Sequence, residues 1–248
     1  MRVLVTRPEP GASRTAKRLS ALGHEPVLLP LTGIAPLPTP AIAAADFDAV
    51  TVTSANALRN TAEEVLAQAA RLPCFAVGDE TARLAGEAGF AAVASADGDA
   101  GDLAALMKQR LPDGSRILYL CGRLRRPTFE AALSEAGFEV AALETYETLP
   151  ADYTPESLAA HLGKETIDLA LVYSAEAAIA LVRLMHAETL VKLSPAPLFL
   201  CISTRVAAIL SGEQHKTLVA AEPTEASMLS ALRDISSAGA ISRPIFMD

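Results

Sequence analysis

Six apolar runs in this chain end on small or hydroxyl residues: Thr53-Ser54, Gly78-Asp79, Cys121-Gly122, Tyr173-Ser174, Ser203-Thr204 and Pro223-Thr224. Each pair leads into an amphipathic segment, so each is a strand-to-helix junction. Such a junction presents free backbone N–H groups and the positive end of a helix dipole, a receptor for carboxylate or phosphate. The same residues are also ordinary helix caps, each stabilising its helix by about 1 kcal/mol without binding anything. Both readings stay open at any one junction, whereas six together favour a polar cleft. Arginines gather at two strand exits, Arg7 at the first and Arg123, Arg125 and Arg126 at the sixth. A planar guanidinium binds a carboxylate bidentately, and the helix dipole disfavours a cation left idle at a helix start. The candidate binding residues are therefore Arg7, Thr53, Ser54, Gly78, Gly122, Arg123, Ser174, Ser203, Thr204 and Thr224.

Tyr146 is the candidate for chemistry. It follows the strand-like run Ala141-Ala142-Leu143 where that run passes into a second linker. A phenol donates and accepts hydrogen bonds and serves as a weak general acid; packing at the linker is the competing reading. Other catalytic signatures are missing. The chain has no GxGxxG, GxxxxGK[ST], GxSxG or HExxH, and His24, His161, His186 and His215 lack metal-ligand spacing, so neither metal nor organic cofactor is expected. Cys74, Cys121 and Cys201 form no CxxC pair and read as buried, reduced thiols.

The elements that must carry these residues occur twice. Leu19-Ser20-Ala21-Leu22-Gly23-His24-Glu25 matches Leu133-Ser134-Glu135-Ala136-Gly137-Phe138-Glu139 at an offset of 114, which is 133 − 19. Asp48-Ala49-Val50-Thr51-Val52-Thr53-Ser54 matches Asp168-Leu169-Ala170-Leu171-Val172-Tyr173-Ser174 at 120, which is 168 − 48. In both copies short apolar runs alternate with amphipathic segments, the pattern of a parallel sheet covered by helices on both faces. Strands are expected near 2–5, 26–30, 48–53, 74–77 and 91–94, and again near 116–120, 139–143, 168–173, 198–202 and 217–221. A cut between the copies would fall near Leu111-Pro112-Asp113-Gly114. Prolines place it elsewhere: Ala35-Pro36-Leu37-Pro38-Thr39-Pro40 and Leu149-Pro150-Ala151-Asp152-Tyr153-Thr154-Pro155 interrupt the copies at equivalent points. With linkers at 35–40 and 147–155, residues 41–146 form an inserted α/β domain, and 1–34 joins 156–248 in a discontinuous one.

The 248 residues are 51% hydrophobic with a net charge of −8. That length accommodates two cores, and that charge excludes the broad basic face that nucleic acid requires. Met1 leads straight into a strand-like run, and no apolar stretch approaches the roughly 20 residues of a membrane span. A soluble, cytoplasmic protein without membrane contact is expected.

Taken in order, Val5-Thr6-Arg7-Pro8, Gly23-His24-Glu25, Leu29-Pro30-Leu31, Thr53-Ser54-Ala55-Asn56-Ala57, Ala76-Val77-Gly78 with Thr81-Ala82, Gly122, Tyr146-Glu147-Thr148 and Pro223-Thr224-Glu225-Ala226 resemble the bacterial pattern of uroporphyrinogen-III synthases. The resemblance runs from Met1 to about Arg233. It implies two flavodoxin-like domains, each a parallel sheet flanked by helices, exchanged as the prolines suggest, with a cleft between them. It implies a lyase that closes hydroxymethylbilane, a linear tetrapyrrole, to uroporphyrinogen III with inversion of ring D and loss of water. No cofactor, a monomer, and at most a transient contact with the preceding pathway enzyme go with it. By the same resemblance Tyr146 matches a cleft tyrosine that hydrogen-bonds the departing hydroxyl, Ser54 and Thr81 match cleft hydroxyls of the middle domain, and Ser174 one of the other domain. Where relatives carry Gly-x-Thr-Thr-Ala this chain has Ser203-Thr204-Arg205-Val206-Ala207, so a hydroxyl is missing at Val206. The alternative is a non-catalytic two-domain cleft protein that binds or senses a small anion, which the fold alone would permit.

Overall fold

The computed structural model describes residues 1–96, 100–125, 127–163, 165–186, 197–211 and 215–241; Arg126 lies outside them. In chain order the elements are β1 (Arg2–Val5), α1 (Gly11–Ala21), β2 (Glu25–Leu28), β3 (Thr32–Pro36), β4 (Ala49–Val52), α2 (Ala55–Asn60), α3 (Glu63–Ala69), β5 (Cys74–Val77), α4 (Asp79–Glu87), β6 (Val93–Ala96) and α5 (Ala100–Arg110). There follow β7 (Arg116–Gly122), α6 (Pro127–Glu135), β8 (Glu139–Pro150), α7 (Pro155–Leu162), β9 (Leu169–Val172), α8 (Ala175–His186), β10 (Leu198–Cys201), α9 (Thr204–Ser211), β11 (Thr217–Val219) and α10 (Glu225–Ile241). The architecture is mixed α/β, with parallel sheets flanked by helices.

Two compact units result. Met1–Gly33 with Leu149–Asp248 form a split unit, and Ile34–Thr148 an inserted one. The split unit's sheet has the order β11-β10-β9-β1-β2, all parallel. Counted along that unit's own strands this is 2-1-3-4-5, the flavodoxin-like order. The inserted unit's sheet runs β3-β8-β7-β4-β5-β6. Its five parallel strands have the same order once β7 and β8, from the second copy, are matched to β1 and β2. Among its parallel strands each sheet thus takes two from one copy of the repeat and three from the other, and β3 adds a sixth strand to the inserted unit's sheet.

Equivalent bonds recur at the repeat offsets. The Arg2 backbone N–H donates to the Asp168 carboxylate at 2.7 Å, and Arg116 N–H to Asp48 at 2.8 Å. Helices α1 and α6 end alike, with His24 N–H donating to Leu19 O and Phe138 N–H to Leu133 O. Gly23 and Gly137 sit there at φ 79° and 94°, the left-handed turn that closes a helix and that a Cβ disfavours.

The central strands β4 and β9 are buried along their whole length, as sheets covered on both faces require. Alternate residues feed opposite cores. In the inserted unit Ala49, Ile117, Tyr119 and Cys121 pack on one face with Phe129 and Leu133 of α6 and Met107 of α5. Val50, Val52, Leu118, Leu120 and Leu143 pack on the other with Ala57 and Leu58 of α2. All three cysteines are free and buried.

Two expectations need correction. Residues 32–36, partly inside the expected linker 35–40, form strand β3 at the edge of the inserted unit's sheet, where a proline that cannot donate to a ladder is tolerated. The strand expected at 139–143 continues to Pro150, through the start of the expected linker 147–155. Leu37 N–H donates to Thr145 O and Ala151 N–H to Leu31 O, so one number rises as the other falls: β3 and β8 pair antiparallel. Tyr146 accordingly lies inside a strand, with four residues of β8 beyond it.

Candidate functional site in the inserted unit

Open parallel sheets bind ligands beyond the carboxyl ends of the strands, at the point where the strand order reverses. In the inserted unit that point lies between β7 and β4, and a pocket of about 540 Å³ opens there, within the usual range of small-ligand sites. Thr53 follows β4, Val77 ends β5, Gly122 ends β7 and Tyr146 comes from β8; Leu124, Arg125, Thr128, Phe129 and Ala132 follow from the loop and α6. The pocket is lined by three aromatic rings, two threonine hydroxyls and, among the described residues, one charged side chain.

The Tyr146 ring packs against Gly122. A Cβ built on that glycine would stand 2.6 Å from the phenol Cζ and 2.9 Å from its oxygen, closer than real contacts allow. Glycine is needed there for the close approach of the ring. The strand pairing explains how the ring arrives: Cys121 pairs with Glu144 but Gly122 with Tyr146, so Thr145 is an extra residue, a β-bulge. Paired residues of a parallel sheet face the same side, so the bulge turns Tyr146 to the face of Gly122, where it joins Leu143 in one core cluster. The deeper wall is Tyr119, hydrogen-bonded to Thr53 Oγ1 at 2.9 Å and set edge-on to Phe129 with ring centres 4.9 Å apart. Burial, only partly offset by the Thr53 bond, pushes the Tyr119 phenol up to about 12. Burial likewise pushes the Cys121 thiol up to about 12, which leaves it a packing group.

The arginines are engaged within the protein. Arg125 spends Nε and one Nη2 hydrogen on Glu130 (3.3 and 3.2 Å) and Nη1 on Glu144 (2.8 Å) and Gly122 O (3.3 Å). Of a guanidinium's five N–H groups, only one on Nη2 has no partner among the described residues. Arg123 pairs with Glu144 at 3.3 Å and Glu147 at 2.7 Å. The hydrogen bond from Arg125 holds the Glu144 carboxyl below the usual carboxylate range. Two described cations therefore meet three carboxylates, which is not the free cationic rim that the arginine cluster suggested.

Ser54, Gly78, Thr81 and Arg123 do not line this pocket. Ser54 caps α2, accepting from Asn56 N–H at 3.2 Å. Gly78 occupies the cap position of α4, and Thr81 is buried in that helix's first turn.

In the split unit the equivalent place lies between β1 and β9. Tyr173 stands where the inserted unit has Thr53, and the Arg7 guanidinium lies 4.5 Å over its ring. Glu225 secures Arg7 at 3.3 Å and also accepts from Arg18 at 2.7 Å and Thr15 at 2.6 Å. The protein's own side chains thus engage one another at that place, and burial pushes the Tyr173 phenol up to about 12. Ser174 Oγ accepts from Ala177 N–H, and Thr224 Oγ1 from Ser227 N–H, both at 3.1 Å, as helix caps do. Ser203 O accepts from Val206 and Ala207 N–H at the start of α9, and Thr204 is exposed. Val206, where a hydroxyl was missing, is a core residue.

Sequence reasoning singled out Tyr146, Gly122 and Thr53, which the fold brings together, and missed Tyr119 and Phe129. Nothing in their sequence neighbourhood marks either residue as part of a site. Among the described residues no three His, Cys, Asp or Glu side chains group as metal ligands, and no helix is long and apolar enough to cross a membrane.

The family model described as uroporphyrinogen-III synthase HemD matches residues 13–230. The fold is similar to a uroporphyrinogen-III synthetase from Helicobacter pylori 26695, at 18% identity and TM-score 0.66, over 95% of this chain and 100% of that one. It is also similar to a mutant uroporphyrinogen III synthase from the extremely thermophilic bacterium Thermus thermophilus, at 22% identity and TM-score 0.56, over 96% of this chain and 99% of that one. No curated protein matches the chain in a sequence search.

Proposed function

The chain belongs to the uroporphyrinogen-III synthase family, lyases of tetrapyrrole biosynthesis, and from that premise we propose that it closes hydroxymethylbilane to uroporphyrinogen III, with loss of water and inversion of ring D. The observation that carries this reading is the family match across residues 13–230. The same match does not favour the anion-sensing alternative.

An electron-rich pyrrole supplies the push that expels the terminal hydroxyl, so the protein's task is to assist departure and to fix which carbon attacks. Tyr146 is the group that assists: its phenol passes a proton to the leaving oxygen, which departs as water, and the phenolate is reprotonated by the proton that the attacking pyrrole ring releases when it rearomatises after closure. Thr53, Gly122 and the rings of Tyr119 and Phe129 bound the pocket in which one end of the substrate sits. Holding the resulting cation so that the substituted carbon of ring D attacks it is positioning work, which needs neither a strong acid nor a strong base. The remaining candidates, Arg7, Ser54, Gly78, Thr81, Arg123, Ser174, Ser203, Thr204 and Thr224, act by shaping their helix starts, whose backbone N–H groups suit the substrate's carboxylates. A cytoplasmic monomer that needs no cofactor and receives its substrate by transient contact with the preceding enzyme completes the reading.

The test supplies hydroxymethylbilane, oxidises the products and separates the type I and type III isomers. Excess type III over the uncatalysed mixture supports the reading; an unchanged mixture from folded protein refutes it.

A further inference from the structure

We infer that Thr145 is a positioning residue for Tyr146, its hydroxyl locking the bulge that seats the phenol against Gly122 in the pocket's lining. The inference rests on the role proposed for Tyr146 and adds a residue to that site.

The strand pairing makes Thr145 the hinge of the arrangement. Were β8 regular, Gly122 would face Thr145, and Tyr146 would turn to the opposite side of the sheet, since a shift of one residue exchanges the faces of a strand. The bulge is therefore what seats the ring against Gly122 at the rim of the pocket, on the face opposite Tyr119 and Phe129, and something must hold an extra residue in a buried parallel ladder. Thr145 is fully buried. Its hydroxyl lies 3.1 Å from Ala57 O and 3.4 Å from Cys121 O, and its one proton serves these carbonyls. Its own carbonyl accepts from Leu37 N–H at 2.9 Å, and the next carbonyl, that of Tyr146, accepts from Arg123 N–H at 2.8 Å. The bulge is thus tied to β3, to β7 and to α2.

The tie to α2 is the specific one. Ala57 lies in the first turn of the helix that begins just after Thr53 and Ser54. One hydroxyl thereby links the strand that carries the phenol to the helix whose start carries the pocket's threonine. Valine would match the shape of Thr145 and lose the tether, whereas serine would keep it.

Thr145→Val, Thr145→Ser and Tyr146→Phe, singly and with Thr145→Val combined with Tyr146→Phe, test the inference in the full-length protein. Misplacement of a reacting group costs up to about 10²-fold, so Thr145→Val is expected to lower kcat about tenfold with KM little changed. Thr145→Ser should keep the wild-type rate, and the double variant should be no slower than Tyr146→Phe alone. Independently of activity, the 13Cζ tyrosine resonance that disappears in Tyr146→Phe should move in Thr145→Val and stay in place in Thr145→Ser. A wild-type kcat in folded Thr145→Val, losses that multiply in the double variant, or an unmoved resonance overturns the inference. If Thr145→Val does not fold, Thr145→Cys, with a weaker donor of similar size, takes its place with the same expectations. If the wild type makes no excess type III isomer, the functional reading fails, while the resonance still decides whether Thr145 positions the ring.

Discussion

A single methyl group at Gly122 is the smallest change that reaches the pocket. It would meet the phenol of Tyr146 at 2.6 Å, and the ring is the part able to move. Gly122→Ala should therefore fold and yet lose rate, by about as much as Tyr146→Phe. General acid assistance contributes typically about 10²–10⁴-fold, and a substrate that ionises by its own electron push places the loss at or below the lower end. Steady-state kinetics on both variants, with circular dichroism to confirm folding, make the comparison. If Gly122→Ala keeps the full rate, the phenol's place on the glycine has no bearing on the reaction. The isomer ratio should stay type III in both, because the pocket's shape, and not the proton donor, selects the attacking carbon.

At the scale of elements, most hydroxyls at the helix starts are already spoken for. Ser174 Oγ accepts from Ala177 N–H, so Ser174→Ala should lower stability by about 1 kcal/mol, and Ser174→Gly by only about a few tenths. Neither should raise KM, as urea melts and saturation curves would establish. A raised KM in the glycine variant would instead make the hydroxyl a substrate contact. The strand-to-helix junctions were legible because their residues are local in sequence and their neighbours announce the strands. The partners of Arg123 and Arg125 were out of sight in the sequence, because Glu130, Glu144 and Glu147 reach them only through the fold. Strand β3 was hidden by Pro36, since a proline that excludes a central strand is harmless at an edge. The bulge was hidden as well. Glu144-Thr145-Tyr146-Glu147 reads as even alternation, and nothing in residue type marks the one that is left over.

For the whole molecule, the exchange of strands between the two copies has the largest consequences. The inserted unit is continuous in sequence and holds its own cores on both faces of its sheet. Residues 34–148 expressed alone should therefore melt cooperatively, which calorimetry or a urea titration would show. An unfolded fragment would mean that its sheet cannot stand without β1, β2 and β9. The repeat was visible in the sequence, and the prolines marked where the copies are exchanged, but the common strand order emerges only when the two sheets are laid side by side. Half-chain 1–113 brings two strands for the split unit's sheet and four for the inserted unit's, and 114–248 brings three and two. Neither half can complete a sheet by itself, so each should be sticky alone and content in company. Produced together as separate polypeptides, the halves should assemble into a nicked enzyme that co-purifies and works, as arm-exchanged chains do.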